Sequence, residues 1–120
     1  MNQPNRHYKR GDVILVLFPN SDLISAKRRP ALVVQNDNLH TGIQQVIVAM
    51  ITSQMFRANH PSRITVRLNT DEGKRSGLLT DSVVMTDNLA TTLESAIDRS
   101  IGDMKIDAID IALKHTLGIR

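Results

Sequence analysis

The sequence predicts a small, mainly β domain: a strongly bent antiparallel sheet, or partly open barrel, with one α-helix at its C-terminal end. Three observations carry this. Short apolar and β-branched runs recur along most of the 120 residues, each bounded by glycine, proline or asparagine-rich turns, which is the pattern of strands. Helical spacing emerges only near the end, where Ile106, Ile109, Leu113 and Leu117 recur. The chain has no cysteine, so it holds no disulfide and no thiolate metal site, and at this length a single domain over residues 1–120 can bury a core without either.

Taken in order, Asp12–Phe18 (DVILVLF) is the first strand, between Gly11 and Pro19. Pro19–Lys27 is a polar loop, and Ala31–Gln35 is the second strand. Asn36–Gly42 is a turn. Val46–Thr52 (VIVAMIT) is a third strand, its length and β-branching favouring a strand over a buried helix. Gln54–Ser62 is a loop. In Ile64–Leu68 (ITVRL), Ile64, Val66 and Leu68 share one face. The glycine- and charge-rich stretch Asp71–Gly77 is a loop, and Leu79–Met85 is a further strand. The closing helix starts with Asp103 as its N-cap and stops at Gly118. No apolar run is long enough to span a membrane. The N-terminal MNQPNRHYKRGD lacks the apolar core of a signal peptide, so a cytoplasmic protein is expected.

The net charge of +3 is unevenly placed. Residues 1–30 carry six cations against two acids, whereas residues 31–120 carry nine against ten. Such separation steers a polyanion to one face, although ordinary solvated charge has the same composition. Only Tyr8, Phe18 and Phe56 are aromatic, too few for an extended base-stacking platform. His7, His40, His60 and His115 have no ligand-like spacing, so no metal and no cofactor is expected; His7 and His60 are open as general bases.

The most informative stretch is Lys27-Arg28-Arg29-Pro30-Ala31-Leu32-Val33-Val34. Proline suits the start of a strand and holds the preceding Arg29 extended. A guanidinium is thereby fixed at the mouth of a strand, where its planar fork matches phosphate oxygens. Read alone, the same residue also fits a surface ion pair.

The order of motifs resembles the MazF/PemK toxins. Arg10-Gly11-Asp12-Val13-Ile14-Leu15-Val16 is similar to that family's opening strand, and Arg29-Pro30-Ala31-Leu32-Val33-Val34 to its arginine–proline strand. Ala49-Met50-Ile51-Thr52-Ser53 resembles its third strand, and Leu79 through Asp87, followed by Leu89-Ala90-Thr91, its later strand ending in an acid. The loop Pro19–Ala26 departs from many members: it is short, lacks glycine and offers Asp22 as its one ionisable group.

The resemblance implies an SH3-like β-barrel, usually a homodimer, acting as the toxin of a type II toxin–antitoxin pair. Most such toxins cleave single-stranded mRNA without a metal, and a cognate antitoxin blocks them. It also implies that Arg29 and Thr52 are catalytic, and that Asp87 and Ser53 act in catalysis or contact RNA. Thr52 would orient the phosphate or the 2′-OH, since a hydroxyl is too weak a base to take its proton. Lys27, Arg28 and Arg10 would bind RNA through its phosphates, with Lys9 extending the strip. Two other readings stay open on the residues: a non-enzymatic toxin that binds DNA gyrase, and an inactive nucleic-acid-binding barrel.

Overall fold

The computed structural model describes residues 8–19, 21, 22 and 24–120. Six strands form one antiparallel sheet: β1 (Asp12–Pro19), β2 (Ala26–Val33), β3 (Gln45–Thr52), β4 (Arg63–Val66), β5 (Ser82–Leu93) and β6 (Ile97–Asp103). Their spatial order is β4-β5-β3-β2-β1-β6. A short helix, α1 (Asp71–Ser76), follows β4, and α2 (Asp107–Leu117) ends the fold. The sheet bends without closing on itself, giving the mainly β, bent-barrel architecture expected. No described helix is long and apolar enough to cross a membrane.

The strands read as continuous apolar runs because both faces of the sheet are covered. Val13, Leu32, Ala49, Ile51, Val66 and Val84 pack with Ile109 of α2 in one core. On the opposite face Ile14, Val16, Ala31, Val33, Val46, Val48 and Ile97 form a second. Adjacent residues such as Val13 and Ile14 thus serve different cores, as the alternation of strand side chains requires.

Several boundaries differ from expectation, each for a physical reason. β2 starts at Ala26 rather than Ala31, because Lys27, Arg28, Arg29 and Pro30 pair along β1 opposite Phe18, Leu17, Val16 and Leu15. Pro30 is tolerated inside the strand because the ladder to β3 has already ended there. β5 begins later than Leu79 and runs on to Leu93; its register against β3 jumps between Met85 and Leu89, so Thr86, Asp87 and Asn88 form a bulge rather than a strand end. β6, polar and exposed over Asp98–Ser100, escapes the apolar pattern; it is held by pairing with β1 through two register shifts.

Asp103 is not a helix cap. It closes β6 opposite Asp12 and binds Arg75 at 2.5 Å, while α2 starts after Ile106. Gly118 ends α2 in the left-handed conformation, as expected. Asp71–Gly77 is a helical turn instead of a loop: Thr70 Oγ1 accepts from the Gly73 amide at 3.0 Å, Asp71 and Glu72 occupy the first turn, and Gly77 caps the end at φ 73°. α1 packs on β6 so closely that a Cβ on Gly77 would lie 1.9 Å from the Ile101 carbonyl oxygen.

Candidate active site

The β2–β3 ladder supplies the site by ending early. It pairs Val33 with Val48, Leu32 with Ala49 and Ala31 with Met50, and then stops. Beyond that stop β2 stays paired with β1 and β3 with β5, and Arg29 and Thr52 both line the opening between them. A groove of about 680 Å³ opens there. Lys27–Pro30 form one wall and Ile51–Gln54 another; Leu15, Arg99 and Ile101, the segment Gly77–Thr80 after α1, and Ser82 complete it.

The cations of the groove differ in their commitments. Arg28 Nε donates to Asp98 Oδ2 at 2.8 Å, and Arg99 approaches the same oxygen at 3.3 Å. Asp98 thus ties two rim arginines together across β1. Arg29 is exposed and, among the described residues, has no carboxylate within salt-bridge distance, unlike Arg10, Arg28, Arg63, Arg67, Arg75 and Arg99. Its fork is available to an incoming anion. Thr52 Oγ1 accepts from the Gln54 amide at 3.1 Å, which leaves the hydroxyl proton to donate. Ser53 is exposed in the same wall. None of the described lining residues is a carboxylate or an imidazole.

The structure places the other sequence candidates elsewhere. Asp87, in the β5 bulge, does not line the groove; it accepts from Arg63 NH2 at 2.8 Å and Nε at 3.3 Å. Arg63 holds its carboxyl below the usual aspartate range, with a smaller contribution from the His60 charge. Asp87 therefore orients Arg63, not Arg29. Arg10 does not extend the basic strip either: its guanidinium binds Asp110 of α2, and its Nε donates to the Val34 carbonyl at 3.0 Å. That pairing straps the strand start to the helix. Lys9 does not line the groove. Asp22 is committed to its own turn, accepting the amides of Ser25 and Ile24, which lower its pKa. His60 sits beside His115, ring centroids 6.2 Å apart, outside the groove. His7 lies outside the described residues.

Sequence reading missed Gln54, Leu79, Thr80, Ser82 and Arg99 as lining residues. Arg99 was hidden because β6 has no apolar signature. Leu79 and Thr80 were assigned to a strand, whereas they form the exposed approach to one.

A groove lined by a guanidinium without a carboxylate partner, by a hydroxyl and by further cations, on a bent antiparallel sheet, places the chain among small β-barrel proteins with a basic cleft. Residues 9–117 match the family of PemK-like, MazF-like toxins of type II toxin–antitoxin systems, and the chain belongs to that family. It is 31% identical over 115 residues to Endoribonuclease EndoA of Bacillus subtilis (strain 168), covering 92% of this chain and 95% of that one. Among solved structures, a MazE–MazF complex from Deinococcus radiodurans superposes with a TM-score of 0.71 at 17% identity, over 97% of this chain and all of that one. An endoribonuclease from a mycobacterial species, in complex with its cognate antitoxin, gives 0.70 at 19% identity, over 92% and 95%. These two likenesses establish the fold.

Proposed function

We propose that this protein is the toxin of a type II toxin–antitoxin pair and that it cleaves single-stranded mRNA at short sequences, in the groove between β2 and β3, without a metal. The observation that carries the reading is Arg29, free of any carboxylate among the described residues, lining one groove with Thr52. In the reaction the ribose 2′-OH attacks the adjacent phosphorus and the 5′-oxygen leaves. The products are a 2′,3′-cyclic phosphate and a 5′-OH. Negative charge collects on the non-bridging phosphate oxygens. A positioned guanidinium stabilises that charge, an effect worth about 3 kcal/mol for one such donor. Thr52 donates to the same phosphate or orients the 2′-OH. The 2′-OH gives up its proton as it attacks and the leaving 5′-oxygen takes one up; none of the described lining residues is a carboxylate or an imidazole.

Lys27, Arg28 and Arg99 bind phosphates and set position. The relatives solved with their antitoxins support a cognate antitoxin as the partner, and the cations of the groove favour an acidic segment of it. Beyond the bulge, β5 carries exposed Leu89 and Leu93 along a stretch that β4 does not pair, which supports a homodimer. The family supports the cytoplasm as its location.

The test is incubation with a defined single-stranded RNA in EDTA. Cleavage to cyclic-phosphate ends is expected, slowed roughly 10²- to 10³-fold in Arg29→Ala. Intact RNA with the wild-type protein, or equal cleavage by the variant, overturns the reading.

A further inference from the structure

The groove accounts for phosphates more fully than for bases. Its cations lie on β2 and β6, whereas a single-stranded ligand also carries flat, apolar faces that need partners. One exposed aromatic ring stands next to the Thr52 wall. Phe56, in the single 3₁₀ turn Met55–Arg57 that follows β3, is 80% exposed. The Arg57 guanidinium lies over its ring, 5.4 Å from the centroid. The same guanidinium donates through Nε to Gln54 Oε1 at 2.9 Å, and Gln54 lines the groove. One cation therefore joins the ring to the groove wall. Arg63 NH1 further pins the turn by donating to the Arg57 carbonyl at 3.1 Å. The ring is thus held in place, backed by a cation and open to solvent, two residues beyond the groove lining.

From this we propose that Phe56 is a base-stacking and specificity residue: it takes one nucleobase of the bound RNA on the Thr52 side of the cleaved bond, with Arg57 adding charge to the stack. The proposal rests on the nuclease reading and adds to it the position at which a base is read. An aromatic face accepts any base, purines most strongly, whereas the free amide hydrogens of Gln54 beside it can donate to an acceptor on the base edge.

The experiment uses the whole protein and an RNA whose cleaved bond has first been mapped. A short oligonucleotide with 2′-deoxyribose at the attacking residue cannot be cut and serves for binding by fluorescence anisotropy. Single abasic substitutions are walked along it. Phe56→Ala should bind about 5- to 100-fold more weakly than wild type, and Phe56→Trp should bind as wild type. Phe56→Leu, which keeps apolar bulk without the ring, should behave like Phe56→Ala. One abasic position should weaken wild type by a similar factor and Phe56→Ala not at all. Unchanged binding by Phe56→Ala, or losses that multiply at every abasic position, overturns the proposal while leaving the nuclease intact. A wild-type protein that cuts no RNA overturns both. Equal thermal melts of the variants show that the differences are not folding.

Discussion

The proposed sharing of one phosphate by Arg29 and Thr52, which line the same groove, can be tested as a coupled pair. The perturbations are Arg29→Ala, Thr52→Val and Thr52→Ser, alone and combined. Arg29 has no carboxylate partner among the described residues, so its loss leaves no buried charge stranded and the thermal melt should hardly move. The whole effect then falls on the transition state, about 10²- to 10³-fold in rate. Thr52 donates to a charged phosphate, a hydrogen bond worth about 1.5–3 kcal/mol, or roughly 12- to 160-fold. Valine also removes the acceptor for the Gln54 amide, bonded at 3.1 Å, but that loop is exposed and the amide turns to water. Serine keeps both roles and should stay within about 3-fold of wild type. Because both groups hold one phosphate, the Thr52→Val loss should largely vanish once Arg29 is gone. The assay is single-turnover cleavage of a fluorescent RNA at saturating protein, in EDTA. Losses that multiply, or a Thr52→Val protein as fast as wild type, refute the shared site.

Two further outcomes concern the frame around the site. Gly77 and Gly118 both have positive φ, 73° and 68°, but only a Cβ on Gly77 meets backbone, 1.9 Å from the Ile101 oxygen. Gly118→Ala should cost only the left-handed backbone penalty, about 1–2 kcal/mol; Gly77→Ala should cost clearly more, read as a larger fall in Tm, since α1 must lift from β6. Equal shifts would mean that the contact is slack. Asp87 has its pKa lowered, first by the hydrogen bond from Arg63. A lowered folded-state pKa gives stability that is present above the unfolded aspartate value and lost as pH falls through the folded one. Wild type should therefore exceed Asp87→Asn in urea midpoint at neutral pH, and the gap should close only below about pH 4. A gap independent of pH would remove the ion pair as its cause.

How much of this was legible depended on what each element shows to its neighbours. β1 and β3 were plain because both of their faces are buried, making them unbroken apolar runs. β6 was not: Asp98, Arg99 and Ser100 face solvent, and the strand exists through hydrogen bonds to β1 rather than burial. α1 carries cap signals at Thr70 and Gly77, but it has six residues, too short for periodicity to reveal. Of the candidate residues, Arg29 was marked by the proline after it, a local fact, whereas Thr52 was marked by the resemblance to the MazF/PemK toxins. The partners of Asp87 and Arg10 were not legible, since the first depends on a bulge and the second on a helix 100 residues away.

The site's location follows from the same packing that hides it. A β-sheet satisfies its own backbone groups, so binding capacity appears where pairing stops. Here the stop is set by the chain itself. Pro30 lacks a donor, the three cations before it repel one another, and Ile51 and Thr52 stay paired with β5 on their other edge, so the β2–β3 ladder has little to gain beyond Ala31 and Met50. β1 still pairs with β2 through this stretch, so the free arm stays rigid. That combination, one edge anchored and the other released, fixes the backbone of Arg29 without a described carboxylate to neutralise its side chain. The neighbouring Arg28 and Arg99 share Asp98 instead, which lowers the repulsion around Arg29 without drawing its guanidinium away. If Asp98 were moved next to Arg29, the same net charge would give a structural ion pair in place of the free guanidinium on which the proposed phosphate contact rests. The arrangement of acids around the groove therefore matters as much as the number of cations in it.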